Sequence, residues 1–325
     1  MSEVEVWPKI SVMIVTYNQE DLISETLDSV LLQGYENLEI VVADDCSTDN
    51  NQAVILDYQK RYPDIIVPVL NKKNLGITGN SNAAFFACTG DLVAVLGGDD
   101  LFLPGKLKAQ ARQFMDDPDL VLSYHPVDIF LSQTNETIYI SNQGAGEDIR
   151  DAYDIIEKGG IAGASSVMVR RSACPPGGFD SRLPAVSDWM FYIEVALAGK
   201  VAKLEGVYGR YRKHGMGASE RTLELLDESL NTLRFIQQKF PDDQRLRDAC
   251  KRGAARYIAG EVYRQLTKNP SIASSLAGRM LENSKAVPYL GLWGLANLFC
   301  YFPILVKVFG SSLLGIKYFI RRHFS

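Results

Sequence analysis

Residues 92–100 read Leu-Val-Ala-Val-Leu-Gly-Gly-Asp-Asp, and no other stretch restricts the fold as strongly. A short continuous apolar run bounded by turn residues suits a strand buried on both faces, as in a parallel sheet. The two glycines end the strand and let a ligand approach its backbone. Two adjacent carboxylates then stand where the strand leaves the sheet, the edge at which open α/β sheets bind ligands. Side by side they repel unless hydrogen-bonded, solvated or bridged by a cation. The stretch is therefore either an acidic, solvated turn or a seat for a hard divalent ion held by carboxylates and substrate phosphates.

The preceding chain alternates strands and helices. Ile10–Thr16, Leu38–Ala43 and Ile65–Leu70 are apolar and β-branched, which predicts strands. Leu22, Ile23, Leu27, Val30 and Leu31 recur at helical spacing. Ser47, Thr48 and Asp49 offer caps for a helix reaching about Arg61. The polar, glycine-containing stretch Asn71–Asn80 reads as a loop, and Asn82–Cys88 as a helix. Pro104 precedes an amphipathic helix over Lys106–Met115. Further strands are expected at Leu120–Tyr124, Asp128–Ser132, Ser166–Val169 and Val201–Leu204. The pattern predicts an α/β fold with a doubly wound, mostly parallel sheet.

In such a sheet Tyr17, Asp45 and Asp99-Asp100 follow strands whose ends open on one edge. An aromatic ring can stack on a base, a lone carboxylate can accept from a ring N–H, and a carboxylate pair can hold a metal on a diphosphate. No Gly-x-Gly-x-x-Gly or Gly-x-x-x-x-Gly-Lys-Ser/Thr loop cradles phosphates, so a metal is the natural substitute. A net charge of -5 gives no reason to expect nucleic-acid binding. The five cysteines are odd in number and lack any Cys-x-x-Cys pair, which argues against a disulfide framework or a zinc site. The acidic N-terminus lacks a signal-peptide layout, and the expected location is the cytoplasm.

Four passages resemble the family 2 inverting glycosyltransferases of GT-A fold. They are Ser11–Asn18, the Asp44-Asp45-Cys46-Ser47-Thr48-Asp49 turn, Asn74-Leu75-Gly76 with Asn82, and Gly98-Asp99-Asp100 with Pro104 and Leu107. Together they cover about the first third of the chain. The family often has Pro at Val15, Gly at Cys46 and Arg at Ser81. The missing Arg leaves the diphosphate to a metal or to Lys72 and Lys73. The resemblance implies a nucleotide site formed by Val15, Thr16, Tyr17, Asn18, Asp45 and Asp99, with Asp100 as ligand to Mn²⁺ or Mg²⁺.

Downstream, Gly177-Gly178-Phe179-Asp180 and Val186-Ser187-Asp188-Trp189 resemble the segment that carries the family's catalytic carboxylate, here Asp188. An inverting transfer needs one base to take the acceptor's proton. The other reading of Asp188 is a cap for the helix Trp189–Ala198, and Asp180 is the alternative base. Tyr208–Ser219 is basic, aromatic and glycine-containing, and resembles the family's flexible segment over the diphosphate. His214 is then a metal ligand or a solvated side chain, and Arg210, Arg212 and Lys73 are phosphate candidates.

The expected domains are residues 1–219, a helical appendage at 220–285 and a tail at 286–325. Leu223, Leu226, Leu230, Leu233 and Ile236, then Leu246, Ala249, Tyr257, Ile258 and Val262, fall at helical spacing. In the tail, Val287–Val306 carries no charge, and Lys307, Lys317 and Arg321 share one helical face. Pro288, Pro303 and Asn297 make the apolar stretch a poor single span. A helix lying in an anionic membrane surface fits, and an oligomer interface is the alternative. The resemblance and the tail together imply a sugar transferase acting on a lipid-linked glycan acceptor in bacterial surface-polysaccharide synthesis, peripheral on the inner face of the cell membrane. A processive synthase is disfavoured, since none of Trp7, Trp189 and Trp293 lies in a Gln-x-x-Arg-Trp motif. A nucleotidyltransferase and a catalytically silent membrane-bound sugar-nucleotide binder stay open.

Overall fold

The β-branched run near the start of the chain becomes the strand on which the sheet is built. In the computed structural model, which describes residues 6–143, 148–214, 222–268, 275–278, 297–298 and 300–302, β1 (Ile10–Thr16) pairs in parallel with both β2 (Leu38–Asp44) and β4 (Leu92–Gly97). Strand β3 (Ile66–Leu70) extends the sheet beyond β2. The full order is β10-β6-β9-β4-β1-β2-β3, with β6 at Leu120–Tyr124, β9 at Met168–Arg170 and β10 at Lys200–Lys203. All pairings are parallel except those of β9, which runs antiparallel to both β4 and β6. The continuous apolar runs of β1, β2 and β4 follow from burial on both faces.

One face is covered by α1 (Ile23–Leu31), α2 (Asn51–Arg61) and α4 (Lys106–Asp116), whose Ile23, Leu27, Val30, Ile55, Leu107 and Phe114 pack on Val12, Ile14, Ile40, Val42 and Leu96. Helix α3 (Gly76–Ala87) packs against β1 and β2, and α6 (Ser187–Leu197) against β6 and β10. Phe85 of α3, Phe179 and Phe191 of α6 form one aromatic cluster, with Phe179 stacked on Phe191 at 4.2 Å.

A second, four-stranded sheet has the order β5-β11-β7-β8, with β5 at Leu101–Phe102, β7 at Val127–Leu131, β8 at Thr137–Ile140 and β11 at Gly209–Lys213. Neither β5 nor β8 was expected, and β11 corrects the flexible-loop reading of Tyr208–Ser219 over Gly209–Lys213, while residues 215–219 lie outside the described residues. Its Arg-Tyr-Arg-Lys run has little apolar signal, yet it pairs with β7 and β5. Helix α3 is a second correction, since it starts six residues before Asn82, inside the expected loop. The strand expected at Ser166–Val169 is β9, and Ser166 itself lies in a turn of 3₁₀-helix.

The contacts divide into two units. The first comprises Met1–Gln143, Ile149–Ala152 and Ile161–Ala218, and holds both sheets. The second comprises Gly144–Asp148, Tyr153–Gly160 and Ser219–Ser325. In it α7 (Thr222–Lys239) and α8 (Gln244–Lys268) bury Leu226, Leu233, Ile236, Leu246, Ala249, Ile258 and Val262, the positions picked out by helical spacing. Glu157 of α5 (Ala152–Lys158) pairs with Arg252. Among the described residues no helix is long and apolar enough to cross a membrane. The apolar stretch and basic face of the tail lie almost wholly outside the described residues.

Candidate active site

Parallel register gathers the chemistry on one edge. Thr16 pairs with Asp44 and Val15 with Gly97, so Tyr17, Asp45 and Asp99 follow three adjacent strand ends. Asn18 links the first two turns, since its backbone N–H donates to Ser47 Oγ at 2.8 Å and its Oδ1 accepts from the Thr48 N–H at 2.8 Å. Asn18 and Cys46 both hold left-handed backbone, with φ of 51° and 60°. The family's frequent glycine at the second position thus has a conformational reason. Tyr17 is exposed, with its ring open to solvent at the edge.

The two carboxylates of the second turn do different work. Asp44 is fully buried and accepts from the Ser47 N–H, Asn51 Nδ2 and Gln52 Nε2. Burial opposes its ionisation, but these hydrogen bonds outweigh it and hold the carboxyl below the usual range. Asp45 accepts from the backbone N–H groups of Leu75 at 2.7 Å and Gly76 at 2.9 Å, and from Asn71 Nδ2 at 3.3 Å. It therefore supplies the first turn of α3 with the acceptor that its own N-cap, Leu75, lacks. That tertiary cap makes helix of a polar stretch that reads as loop. Oδ1 accepts two of these bonds, and Oδ2, with one, keeps a lone pair for a ligand.

At the end of β4, a side chain on Gly98 would come within 2.5 Å of Gln19 Oε1 and 2.7 Å of Thr16 Cβ. A Cβ on Gly97 would meet Asp99 Oδ1 at 2.8 Å and Asp100 Oδ2 at 3.7 Å, so the bare glycine leaves a cradle between the two carboxylates. Asp100 is buried, and its Oδ1 accepts from the Arg212 backbone N–H at 2.9 Å. Burial, then the neighbouring Asp99 charge, push its carboxyl well above the usual range. Asp99 Oδ2 lies 2.8 Å from His214 Nε2. The histidine is thus paired with Asp99, and Asp100 is turned to the β11 backbone. Among the described residues no group of three or more His, Cys, Asp or Glu side chains converges. The carboxylate oxygens of Asp99 and Asp100 beside the Gly97 cradle nevertheless suit a hard ion such as Mn²⁺ or Mg²⁺.

Arg212, expected at a phosphate, is buried and engaged within the protein. Its Nε donates to the Asp99 carbonyl at 2.7 Å, a terminal nitrogen meets Glu25 at 2.6 Å, and its guanidinium lies over Phe130. Arg210 is held by Asp128 at 2.7 Å and by Asn135, also over Phe130. Both arginines, expected at phosphates, pack on the small sheet over Phe130. Lys73 is exposed in the turn that wraps Asp45.

Asp188 is exposed in the first turn of α6, where its Oδ1 accepts from the Trp189 N–H at 2.8 Å. Asp180 instead forms an ion pair with Arg182 at 2.5 Å. The segment leading to Asp188 is fixed by α3. Thr78 Oγ1 lies 2.7 Å from Ser187 Oγ and donates to the Leu183 carbonyl, and the Thr78 N–H donates to the Pro184 carbonyl at 3.2 Å. Asn80 reaches back to the Ala43 carbonyl at 3.0 Å and accepts from Asn71. Sequence reasoning passed over Thr78 and Asn80 because both sat in the expected loop. The available signal was their three- and four-residue spacing to Leu75, Gly76, Ser81 and Asn82.

Residues 11–174 match the family model described as glycosyl transferase family 2. An uncharacterized glycosyltransferase of Nostoc sp. is 32% identical over 247 residues, 72% of this chain and 75% of that one. An uncharacterized protein of Mycobacterium tuberculosis is 28% identical over 210 residues, 64% of this chain, and the match spans 60% of its own length. The UDP-Glc:alpha-D-GlcNAc-diphosphoundecaprenol beta-1,3-glucosyltransferase of Escherichia coli is 33% identical over 115 residues, 35% of this chain and 44% of that one. Residues 1–349 of Staphylococcus aureus TarS, in complex with UDP-GlcNAc, superpose with a TM-score of 0.60 at 16% identity, over 90% of this chain and 93% of that one. The mannosyltransferase of Pyrobaculum calidifontis in complex with GDP-Man and Mn²⁺ gives 0.58 at 17%, over 93% of this chain and 88% of that one. The fold is the α/β arrangement of these GT-A enzymes, with helices following the sheet. The chain belongs to glycosyltransferase family 2.

Proposed function

We propose that the protein moves one sugar, with inversion, from a UDP- or dTDP-sugar to a lipid-linked glycan during assembly of a bacterial surface polysaccharide. The observation that carries this reading is that Asp45 and Asp99, the latter paired with His214, follow β2 and β4, the two strands that flank β1 in parallel. In this reading Tyr17 stacks on the base, Asp45 accepts its ring N–H, and Val15, Thr16 and Asn18 line the nucleoside. Asp99, Asp100 and His214 would hold Mn²⁺ or Mg²⁺ beside Gly97, and Lys73 would meet the diphosphate. The ion, when bound, would neutralise charge on the departing diphosphate as a Lewis acid.

Asp188 takes the proton from the acceptor hydroxyl as its oxygen attacks the anomeric carbon. The bond from that carbon to the diphosphate oxygen breaks, and the nucleoside diphosphate leaves with the electron pair. The exposure of Asp188 suits a group that must meet an incoming acceptor. The lipid-linked acceptor is supported by the E. coli relative, whose name describes a diphosphoundecaprenol substrate, and by the membrane-seeking composition of the tail. Retention on anionic liposomes that weakens with salt is expected. A stable oligomer indifferent to such liposomes would instead assign the tail to a subunit interface.

The test is Asp188→Asn, assayed with UDP-sugars, Mn²⁺ and a synthetic prenyl-diphosphate-linked GlcNAc. Transfer should fall about 10²–10⁴-fold with UDP affinity kept. Transfer near the wild-type rate would remove Asp188 as the base. Failure of every UDP- and dTDP-sugar to bind would remove the donor assignment.

A further inference from the structure

Helix α3 touches both halves of the proposed site. At its start, Leu75 and Gly76 give their N–H groups to Asp45. Within the next turn, Thr78 holds the Leu183–Ser187 segment through three hydrogen bonds: its hydroxyl donates to the Leu183 carbonyl and accepts from Ser187 Oγ, and its backbone N–H donates to the Pro184 carbonyl. Two residues beyond Thr78, Asn80 is bonded to the Ala43 carbonyl beside the nucleotide turn. One turn beyond Thr78, Asn82 exchanges hydrogen bonds with Phe179, each of 2.8 Å. Asp188 follows Ser187 directly, and Val186, at the N-cap position of α6, gives no side-chain hydrogen bond.

The Thr78 hydroxyl is placed unlike an ordinary helical threonine. Such a hydroxyl commonly returns to a carbonyl of its own helix. Here it leaves α3 for a segment more than a hundred residues away, and both Thr78 and Ser187 are buried. A buried bond of this kind is costly to leave unmade, because each partner has already lost its water. The pair therefore sets where α6 begins relative to α3, and Asp45 sets where α3 begins relative to the sheet.

We propose that Thr78 is a positioning residue for Asp188. Through the first turn of α3 it registers the base against the donor pocket. The inference rests on the proposed roles of Asp45 and Asp188. It predicts a division of effects, with the donor side of the site left intact and the chemical step lost.

The variants are Thr78→Val, which keeps shape and removes the hydroxyl, and Thr78→Ser, which restores it. UDP affinity with Mn²⁺ is read by calorimetry, and transfer to the synthetic prenyl-diphosphate-linked GlcNAc is read beside it, with Asp188→Asn as reference. For Thr78→Val we expect UDP affinity within twofold of wild type, an unchanged KM for the donor, and kcat lowered 10- to 100-fold. Thr78→Ser should recover kcat to within about threefold. Full activity of Thr78→Val while Asp188→Asn is inactive overturns the positioning role and leaves the function standing. A parallel loss of UDP affinity, or no recovery in Thr78→Ser, assigns Thr78 to general folding and overturns the proposal. Full activity of Asp188→Asn overturns the reading on which it rests.

Discussion

Asn82 and Phe179 face each other as one base faces its complement, the amide nitrogen giving to the Phe179 carbonyl and the amide oxygen taking from its N–H, both at 2.8 Å. The neighbouring Gly178 has a φ of +69°, and a Cβ there would lie 2.3 Å from Asn82 Oδ1. The amide and the missing side chain therefore require each other. Asn82→Leu should leave the buried Phe179 backbone unpaired and destabilise the protein by about 1–3 kcal/mol. Urea unfolding followed by circular dichroism measures it, and an unchanged midpoint would contradict the pairing.

Cys46 occupies left-handed backbone at φ 60°. An L side chain is held there against steric crowding that glycine escapes. Cys46→Gly should stabilise the protein by about 1 kcal/mol, less whatever conformational freedom glycine gains in the unfolded chain. A lower melting temperature in thermal unfolding would mean that the thiol makes contacts worth more than the strain.

Glu39 clamps the base of the sheet, accepting from Ser11, from the Thr89 N–H and hydroxyl, and from Lys9. Burial opposes its charge, yet these partners prevail and lower the carboxyl from 4.5 to about 2. A depressed carboxylate stabilises the fold above its unfolded value, and the contribution is lost as pH falls from about 4.5 toward 2. Glu39→Gln should thus be less stable than wild type near neutrality, on the order of 3 kcal/mol if the lowered value is fully expressed. The gap should narrow between pH 5 and pH 3 in denaturant titrations. A gap that stays constant across that range would show that the carboxylate's charge is not what matters.

Asp99 and His214 should act as a unit. Asp99→Asn and His214→Ala are each expected to weaken Mn²⁺-dependent UDP binding about tenfold or more, and the double variant should lose little further. Calorimetry with UDP, with and without EDTA, makes the cycle. Strict additivity would mean that the two side chains serve separate ligands.

The sheet was legible because its strands are buried on both faces, which writes burial into unbroken apolar runs such as Leu92–Leu96. The strand-end carboxylates were legible for the same reason, since each run stops at them. The first turn of α3 was not, because Gly76–Asn80 is a poor helix former and becomes helix through Asp45, an acceptor thirty residues earlier. Strand β11 was hidden because its ladder partners are β5 and β7, and its own side chains are Arg, Tyr and Lys. The charges of Arg210 and Arg212 read from the sequence as phosphate candidates, and the sequence does not show that Asp128, Glu25 and the Phe130 ring also engage them.

The antiparallel β9 sets an order on how this protein can be made. It covers the outer edge of β4, joining Leu92 to Arg170 and Ala94 to Met168. A nascent chain that has emerged only through α4 already holds β1 to β4, with one long apolar edge bare. Bare edges recruit wrong partners, and pairings between distant segments form late. The strands whose ends carry Tyr17, Asp45 and Asp99 all precede β9 in the chain. Until residue 170 arrives, that edge of β4 has no ladder partner among the strands already made.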